Sequence, residues 1–265
     1  MVVIKKNILY DAQNGLKADL YFPNETTSTT KILIFWHGGG WFRGTKESVK
    51  DVGIKLANAG FMTLIPEYRL APQYHFPAAH QDALKFVDWL LHSRFTDPDD
   101  QRNIVQIGSS VGGTMALFIA CRYGFPTVTW SAPVDYSNWI QSHPQVKMSP
   151  NAAHDLGLTD PEAIREAFYK YFTLTYAGTS TKATLRQMDA CHYEPRHLGK
   201  LFMINSAQEL TPLSSVLTYI KFLADHNHGV QLLVIPGHGH AMDYGRDYLD
   251  ESLDYLYQTL KRQTK

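Results

Sequence analysis

Three short patterns in this 265-residue chain hold the residue types that acyl transfer needs. The first is Gly108-Ser109-Ser110-Val111-Gly112, a G-x-S-x-G sequence. A serine hydroxyl at its free pKa is a weak nucleophile, so it must stand on a sharp turn facing a base and backbone N–H donors. Gly108 and Gly112 leave room for a strand and a helix to meet at such a turn, with Gly113 extending that room. A helix starting at Val111 would aim its partial positive charge at the reacting oxygen. Ser110 is the expected nucleophile, while Ser109 falls in the variable position, facing away. The second pattern, Pro236-Gly237-His238-Gly239-His240, follows the last buried run, where the order serine, acid, histidine puts the base. His240 is the better candidate and His238 the alternative. The third is His37-Gly38-Gly39-Gly40-Trp41, whose residues without Cβ let the main chain turn its N–H groups into a site. Gly38, Gly39 and the N–H of Val111 are the expected oxyanion donors, each worth about 10²–10³ in rate. Trp41, next to these glycines, is expected near the entrance and in contact with substrate.

These groups converge only if the chain brings three loops to one edge of a sheet, and short apolar runs alternating with helical patterns predict such a sheet. Val2 to Tyr10 and Leu16 to Phe22, separated by Asn14-Gly15, read as an antiparallel hairpin. Lys31 to Trp36 (KILIFW) reads as a strand buried on both faces that runs straight into the glycines. Further strands are expected at Phe61 to Ile65, Asn103 to Gly108, Thr127 to Trp130, Leu201 to Asn205 and Val230 to Ile235. Helices are expected within Thr45 to Ala59, Asp82 to Leu91, Val111 to Tyr123 and Tyr248 to Leu260. The strand rhythm lapses between Asp135 and Gly199, which holds Pro144, Pro150 and a helical segment from Pro161 to Phe172. The expected fold is α/β: a mostly parallel eight-stranded sheet flanked by helices, one domain over residues 1–265, with a helical cap inserted at about 135–199.

HGGGW, Tyr68-Arg69-Leu70-Ala71-Pro72, Phe76-Pro77-Ala78-Ala79 followed by Asp82, and GSSVGG together resemble the hormone-sensitive-lipase and acetyl-esterase branch of the α/β-hydrolases. The resemblance runs from Lys31 to the C-terminal helix and is weakest in the cap. It implies that HGGG forms the oxyanion hole and that the histidine of a P-G-x-x-H pattern falls on His240. It also implies an Arg69–Asp82 ion pair beneath the site. The serine motif of that branch is usually GDSAGG, so Ser109 and Val111 depart from it. Val111 donates through its backbone, which leaves the donor intact while crowding the acyl pocket.

For the acid, relatives carry Asp, two or three residues and then Val-Pro after the penultimate strand. Here Ser206 to Pro212 reads SAQELTP. Counting forward from the strand selects Glu209, and counting back from Pro212 selects Gln208. Glu209 is the expected acid, its extra methylene compensating a loop one residue short; a glutamine would orient the imidazole without stabilising the imidazolium. Asp135, after the strand ending near Ser131, is the fallback acid and otherwise a cap of the inserted segment. Asp243 is expected in a first helical turn.

The formal net charge is +0, which gives no electrostatic drive toward phosphate backbones or anionic membranes, so nucleic acid is not an expected partner. Met1 to Tyr10 (MVVIKKNILY) lacks the apolar core of a signal peptide and no stretch has the roughly 20 apolar residues of a membrane span, so a cytoplasmic protein is expected. Cys121 and Cys191, the only 2 cysteines, suit a reducing compartment. Neither His192 with His197 nor His226 with His228 has the spacing of a metal site, and no metal or other cofactor is expected. Tyr136, Trp139, Phe168, Tyr169, Tyr171, Phe172 and Tyr176 either wall a pocket or pack the cap on the sheet.

The expected reaction is hydrolysis of a small ester, with short acyl or acetyl esters first as the resemblance implies and hydroxycinnamoyl or sugar esters open. An amidase or aminopeptidase-like hydrolase and a silent binding protein remain as rivals, and a homo-oligomer is left open.

Overall fold

Asn14-Gly15 separates two runs that pair antiparallel, β1 (Val3–Asp11) and β2 (Leu16–Phe22), with Val3 opposite Phe22 and Asp11 opposite Leu16. Gly15 takes φ +68, the left-handed conformation that a tight turn asks of glycine. The computed structural model describes residues 2–24, 30–98 and 100–263; Met1, the first residue of the N-terminal segment considered above, lies outside them.

Six more strands follow: β3 (Ile32–Trp36), β4 (Met62–Pro66), β5 (Ile104–Ser109), β6 (Thr127–Trp130), β7 (Leu201–Ser206) and β8 (Val230–Ile235). They make one eight-stranded sheet in the order β1-β2-β4-β3-β5-β6-β7-β8. β2 meets β4 antiparallel, and every pairing from β4 through β8 is parallel. The strands β3 to β7 are buried along their whole length, which is why their sequences are nearly unbroken apolar runs.

Each central strand serves two cores. Ile32, Ile34 and Trp36 of β3 pack with the cluster that includes Phe86 and Met115, whereas Leu33 and Phe35 pack with Val52, Leu56 and Leu256 on the opposite face. The two-residue period thus puts α2 (Ala78–His92) and α3 (Val111–Tyr123) on one side. On the other lie α1 (Lys50–Asn58) and, far along the chain, Leu249–Gln263, the last helix. Helix α2 begins four residues before the expected Asp82, directly after Pro77. The fully buried Asp82 carboxylate takes Arg69 Nε at 2.9 Å and Nη2 at 2.7 Å, fixing the segment after β4 against that helix.

Between β6 and β7 the chain forms α4 (Ser137–Ser142), α5 (Ala152–Asp155), α6 (Pro161–Ala177) and α7 (Lys182–Met188). Asp160 caps α6 by accepting from Ala163 N at 2.9 Å, Pro161 stands at its first turn, and Gly178 ends it at φ +67. The helix runs five residues past the expected end at Phe172, because Thr173, Tyr176 and Ala177 continue the buried stripe up to that glycine. Tyr169, Phe172 and Tyr176 share a core with Trp41 and Met115, so α6 packs directly on the sheet-flanking layer. After β7 come α8 (Leu213–Asp225), α9 (Met242–Gly245) and α10 (Leu249–Gln263). Among the described residues no helix is long and apolar enough to cross a membrane.

Candidate active site

Ser110 stands between the end of β5 and the start of α3 with φ 53 and ψ −127, a conformation that non-glycine residues adopt only when their surroundings impose it. Those surroundings are backbone. A Cβ on Gly108 would lie 2.4 Å from Gly112 O, and one on Gly112 would lie 2.2 Å from Trp36 O and 2.5 Å from His37 O. The serine turn is therefore pressed against the C-terminal end of β3, where the glycine loop departs. Gly112→Ala is expected to cost about 3 kcal/mol of unfolding free energy, since the added methyl meets main chain that cannot rotate away. Urea unfolding reads this directly, and a loss under about 0.5 kcal/mol would contradict the contact.

The loop from His37 to Gly44 is folded by its own carbonyls: Gly39 O accepts from Phe42 N at 3.2 Å and Arg43 N at 3.0 Å. Gly39 sits at φ +121, and a Cβ there would fall 1.9 Å from Arg43 O. The His37 ring stacks on Tyr68 at 4.3 Å, and its Nδ1 lies 2.8 Å from Gly38 O. Burial lowers the His37 pKa to about 4, so this imidazole stays neutral at physiological pH and acts as a prop for the loop. Gly38 lies against the serine: a Cβ added to it would stand only 3.0 Å from Ser110 Cβ. None of the hydrogen bonds among the described residues engages the N–H of Gly38, Gly39 or Val111.

His240 Nε2 lies 2.9 Å from Ser110 Oγ, and His240 Nδ1 lies 2.6 Å from Glu209 Oε2. The other carboxylate oxygen accepts from Ser206 N at 2.9 Å and from Asn205 Nδ2 at 3.1 Å, with the Glu209 side chain wholly buried. An ionised carboxylate only accepts, so Nδ1 carries the proton and Nε2 is free to accept from the serine hydroxyl. Asp135 stands elsewhere: its carboxylate takes Asn138 N at 3.1 Å and Asn138 Nδ2 at 3.2 Å at the head of α4. Gln208 presents its main-chain carbonyl to His238 Nδ1 at 3.0 Å, and that ring is exposed. Asp243, in the first turn of α9, accepts from His240 N at 2.9 Å. The Ser109 hydroxyl is buried with no partner among the described residues.

Sequence reasoning missed the groups that hold the histidine loop. Ser131 Oγ accepts from Ala241 N at 2.8 Å and meets Tyr244 OH at 2.7 Å; Tyr244 in turn donates to Ile204 O at 2.6 Å. Thr211 Oγ1 donates to Ser131 O at 3.0 Å and Ser206 Oγ donates to Gly239 O. The available signals were the place of Ser131 at the C-terminal edge of β6 and of Tyr244 four residues after His240.

A cavity of about 350 Å³ opens over Ser110 and His240, walled by Val49, Phe168, Phe172, Leu210 and Met242. Phe168 and Phe172 thus line the pocket. Tyr136, Trp139, Tyr169 and Tyr176 are buried in the core, and Tyr171 packs edge-on against Phe42 at 5.3 Å. Trp41 corrects an expectation. Its φ of +59 turns the side chain inward, where it is fully buried and stacked 4.3 Å from Tyr176, and it does not line the cavity. A larger cleft of about 1080 Å³ lies between α2, α3 and α7, and His192, His197 and Cys121 border it, but Ser110, His240, Glu209 and the glycine loop do not. Among the described residues no group of three or more His, Cys, Asp or Glu could hold a metal ion.

The family model of BD-FAE matches residues 18–156, just over half of the chain. The chain belongs to the BD-FAE family. The match spans the glycine loop and the serine turn, while Glu209 and His240 of this BD-FAE member lie beyond it. Ethyl acetate hydrolase of Pseudomonas putida is 37% identical over 108 residues, covering 40% of this chain and 34% of that protein. Tuliposide A-converting enzyme 2, chloroplastic, of Tulipa gesneriana is 28% identical over 134 residues, 45% of this chain and 35% of that protein. The BD-FAE chain therefore aligns with about a third of the length of these curated relatives. Esterase B from Lactobacillus Rhamnosis (HN001) superposes with a TM-score of 0.76 at 16% identity, covering 99% of this chain and 87% of that chain. The fold of the BD-FAE chain is that of the α/β-hydrolases, as its motifs led us to expect.

Proposed function

We propose that the protein is a serine carboxylesterase acting on small carboxylic esters, short-acyl or acetyl esters first. The observation that carries this reading is the unbroken line of hydrogen bonds from Ser110 Oγ through His240 to Glu209, at 2.9 and 2.6 Å. In it, Ser110 Oγ attacks the ester carbonyl carbon while His240 Nε2 takes the hydroxyl proton, and Glu209 stabilises the imidazolium. Gly38, Gly39 and Val111 N–H groups receive the negative charge on the former carbonyl oxygen. The proton passes to the departing alcohol, water attacks the acyl-serine with His240 again as base, and the free acid leaves. Protons and electron pairs balance with these side chains and water alone, so the scheme calls for no cofactor. A cavity of about 350 Å³ favours small substrates, and the names of ethyl acetate hydrolase and esterase B support the choice of reaction. The reading takes the segment at about 135–199 as a cap on the same catalytic unit, since Phe168 and Phe172 wall the pocket from α6.

Turnover of p-nitrophenyl acetate and p-nitrophenyl butyrate tests the reading, with acetate or butyrate released in step with nitrophenol. Failure to hydrolyse either, in protein that unfolds cooperatively, would overturn it.

A further inference from the structure

The lining of the catalytic cavity contains two arginines, Arg43 and Arg246, and no aspartate or glutamate. Arg246 is already neutralised, its Nε 2.7 Å and its Nη2 3.3 Å from the carboxylate of Asp51. Arg43 is different. Its guanidinium lies 5.2 Å from the centroid of Phe42 and 5.1 Å from that of Phe168, with no carboxylate in ion-pair reach among the described residues. The two rings come from separate elements, the glycine loop and α6, and meet edge to face at 6.0 Å. Its main chain is tied into the glycine turn through Arg43 N and Gly39 O at 3.0 Å. Thus a cation is held on aromatic faces beside the oxyanion loop, its planar fork of donors unspent.

We propose that the ester taken by this site carries a carboxylate elsewhere in the molecule, and that Arg43 binds it and so sets specificity. This rests on the esterase reading above. Guanidinium is weakly hydrated, and a carboxylate can accept two parallel N–H bonds from it, a geometry open to neither a neutral ester nor an ammonium group. Two substrate families meet this chemistry: monoesters of dicarboxylic acids, with the charge on the acyl side, and acyl esters of hydroxy acids, with the charge on the alcohol side.

The test uses matched pairs differing by carboxylate against carboxamide: monoethyl adipate with ethyl adipamate for the acyl side, and 4-acetoxybenzoate with 4-acetoxybenzamide for the alcohol side. We expect kcat/KM for the anionic member of one pair to exceed its partner's by about tenfold or more, mainly through KM. Arg43→Gln should reduce that ratio toward one, and Arg43→Lys should restore part of it as a point charge. In wild-type protein the KM of the anionic ester should rise with added salt while that of the amide does not. Equal treatment of both members in both pairs, or a ratio untouched in Arg43→Gln, would overturn the proposal and leave the esterase reading standing. Hydrolysis of no ester in either pair or among the nitrophenyl esters would remove both.

Discussion

Ser110→Ala should lower kcat toward p-nitrophenyl acetate by about 10⁴-fold or more while leaving the unfolding transition in place. The two halves of this expectation have different causes. Activity falls because the hydroxyl that stands 2.9 Å from His240 Nε2 is removed. What remains is water oriented by a histidine and whatever stabilisation the N–H groups of Gly38, Gly39 and Val111 lend an oxyanion. Stability holds because alanine, like serine, has a Cβ, so the strain of φ 53 is the same in both proteins. The turn is kept by Ser110 N to Trp130 O at 2.8 Å and Gly113 N to Ser110 O at 2.7 Å, both main-chain bonds. A mutant as active as wild type would dispose of Ser110 as nucleophile.

Glu209→Gln should cut kcat by about 10³–10⁴-fold, and Asp135→Asn should leave it within about twofold. Glu209 receives three donors, from Ser206 N, Asn205 Nδ2 and His240 Nδ1. A carboxamide has one acceptor atom for them. Its NH₂ must face either the backbone N–H, where donor opposes donor, or the imidazole, where it selects the tautomer whose Nε2 carries a proton and cannot receive one from serine. Asp135, bonded to Asn138 at the head of α4, has no part in this, so its amide costs a helix contact and little else. Steady-state rates for the two variants decide the matter; collapse in Asp135→Asn alone would mean that a different carboxylate serves the histidine.

Much of this site was legible because its chemistry restricts residue type and local spacing together. Ser110 needs small neighbours for a turn, and the spacing of Gly108 and Gly112 announces it; HGGG does the same for a loop that must bring backbone close to Ser110. The parallel order of the sheet followed from apolar runs too short for helices, although β4 is displaced by one residue and α2 begins at Ala78, because an apolar period marks the middle of an element more sharply than its ends. The acid was harder, because Gln208 and Glu209 are separated only by the length of a loop, and a loop's path is set by what it packs on. Trp41 was misplaced for a related reason: its position in the chain is next to the site, but a positive φ reverses where its indole points. The Ser131–Ala241–Tyr244 support was harder still, with only the places of Ser131 and Tyr244 to hint at it, because it joins residues more than a hundred positions apart through one hydroxyl and one main-chain N–H.

That inward indole ties the glycine turn to the inserted segment. With Trp41 stacked on Tyr176 and packed 5.7 Å from both His80 and Tyr136, the floor of the glycine turn is made partly of residues from the inserted segment. A chimera that exchanges this insert for one from another hydrolase would remove Tyr136 and Tyr176, strip the underside of the turn and leave the Trp41 indole facing a hollow where those two rings stood. Redesigning the segment between β6 and β7 therefore calls for choosing positions 41, 136 and 176 together.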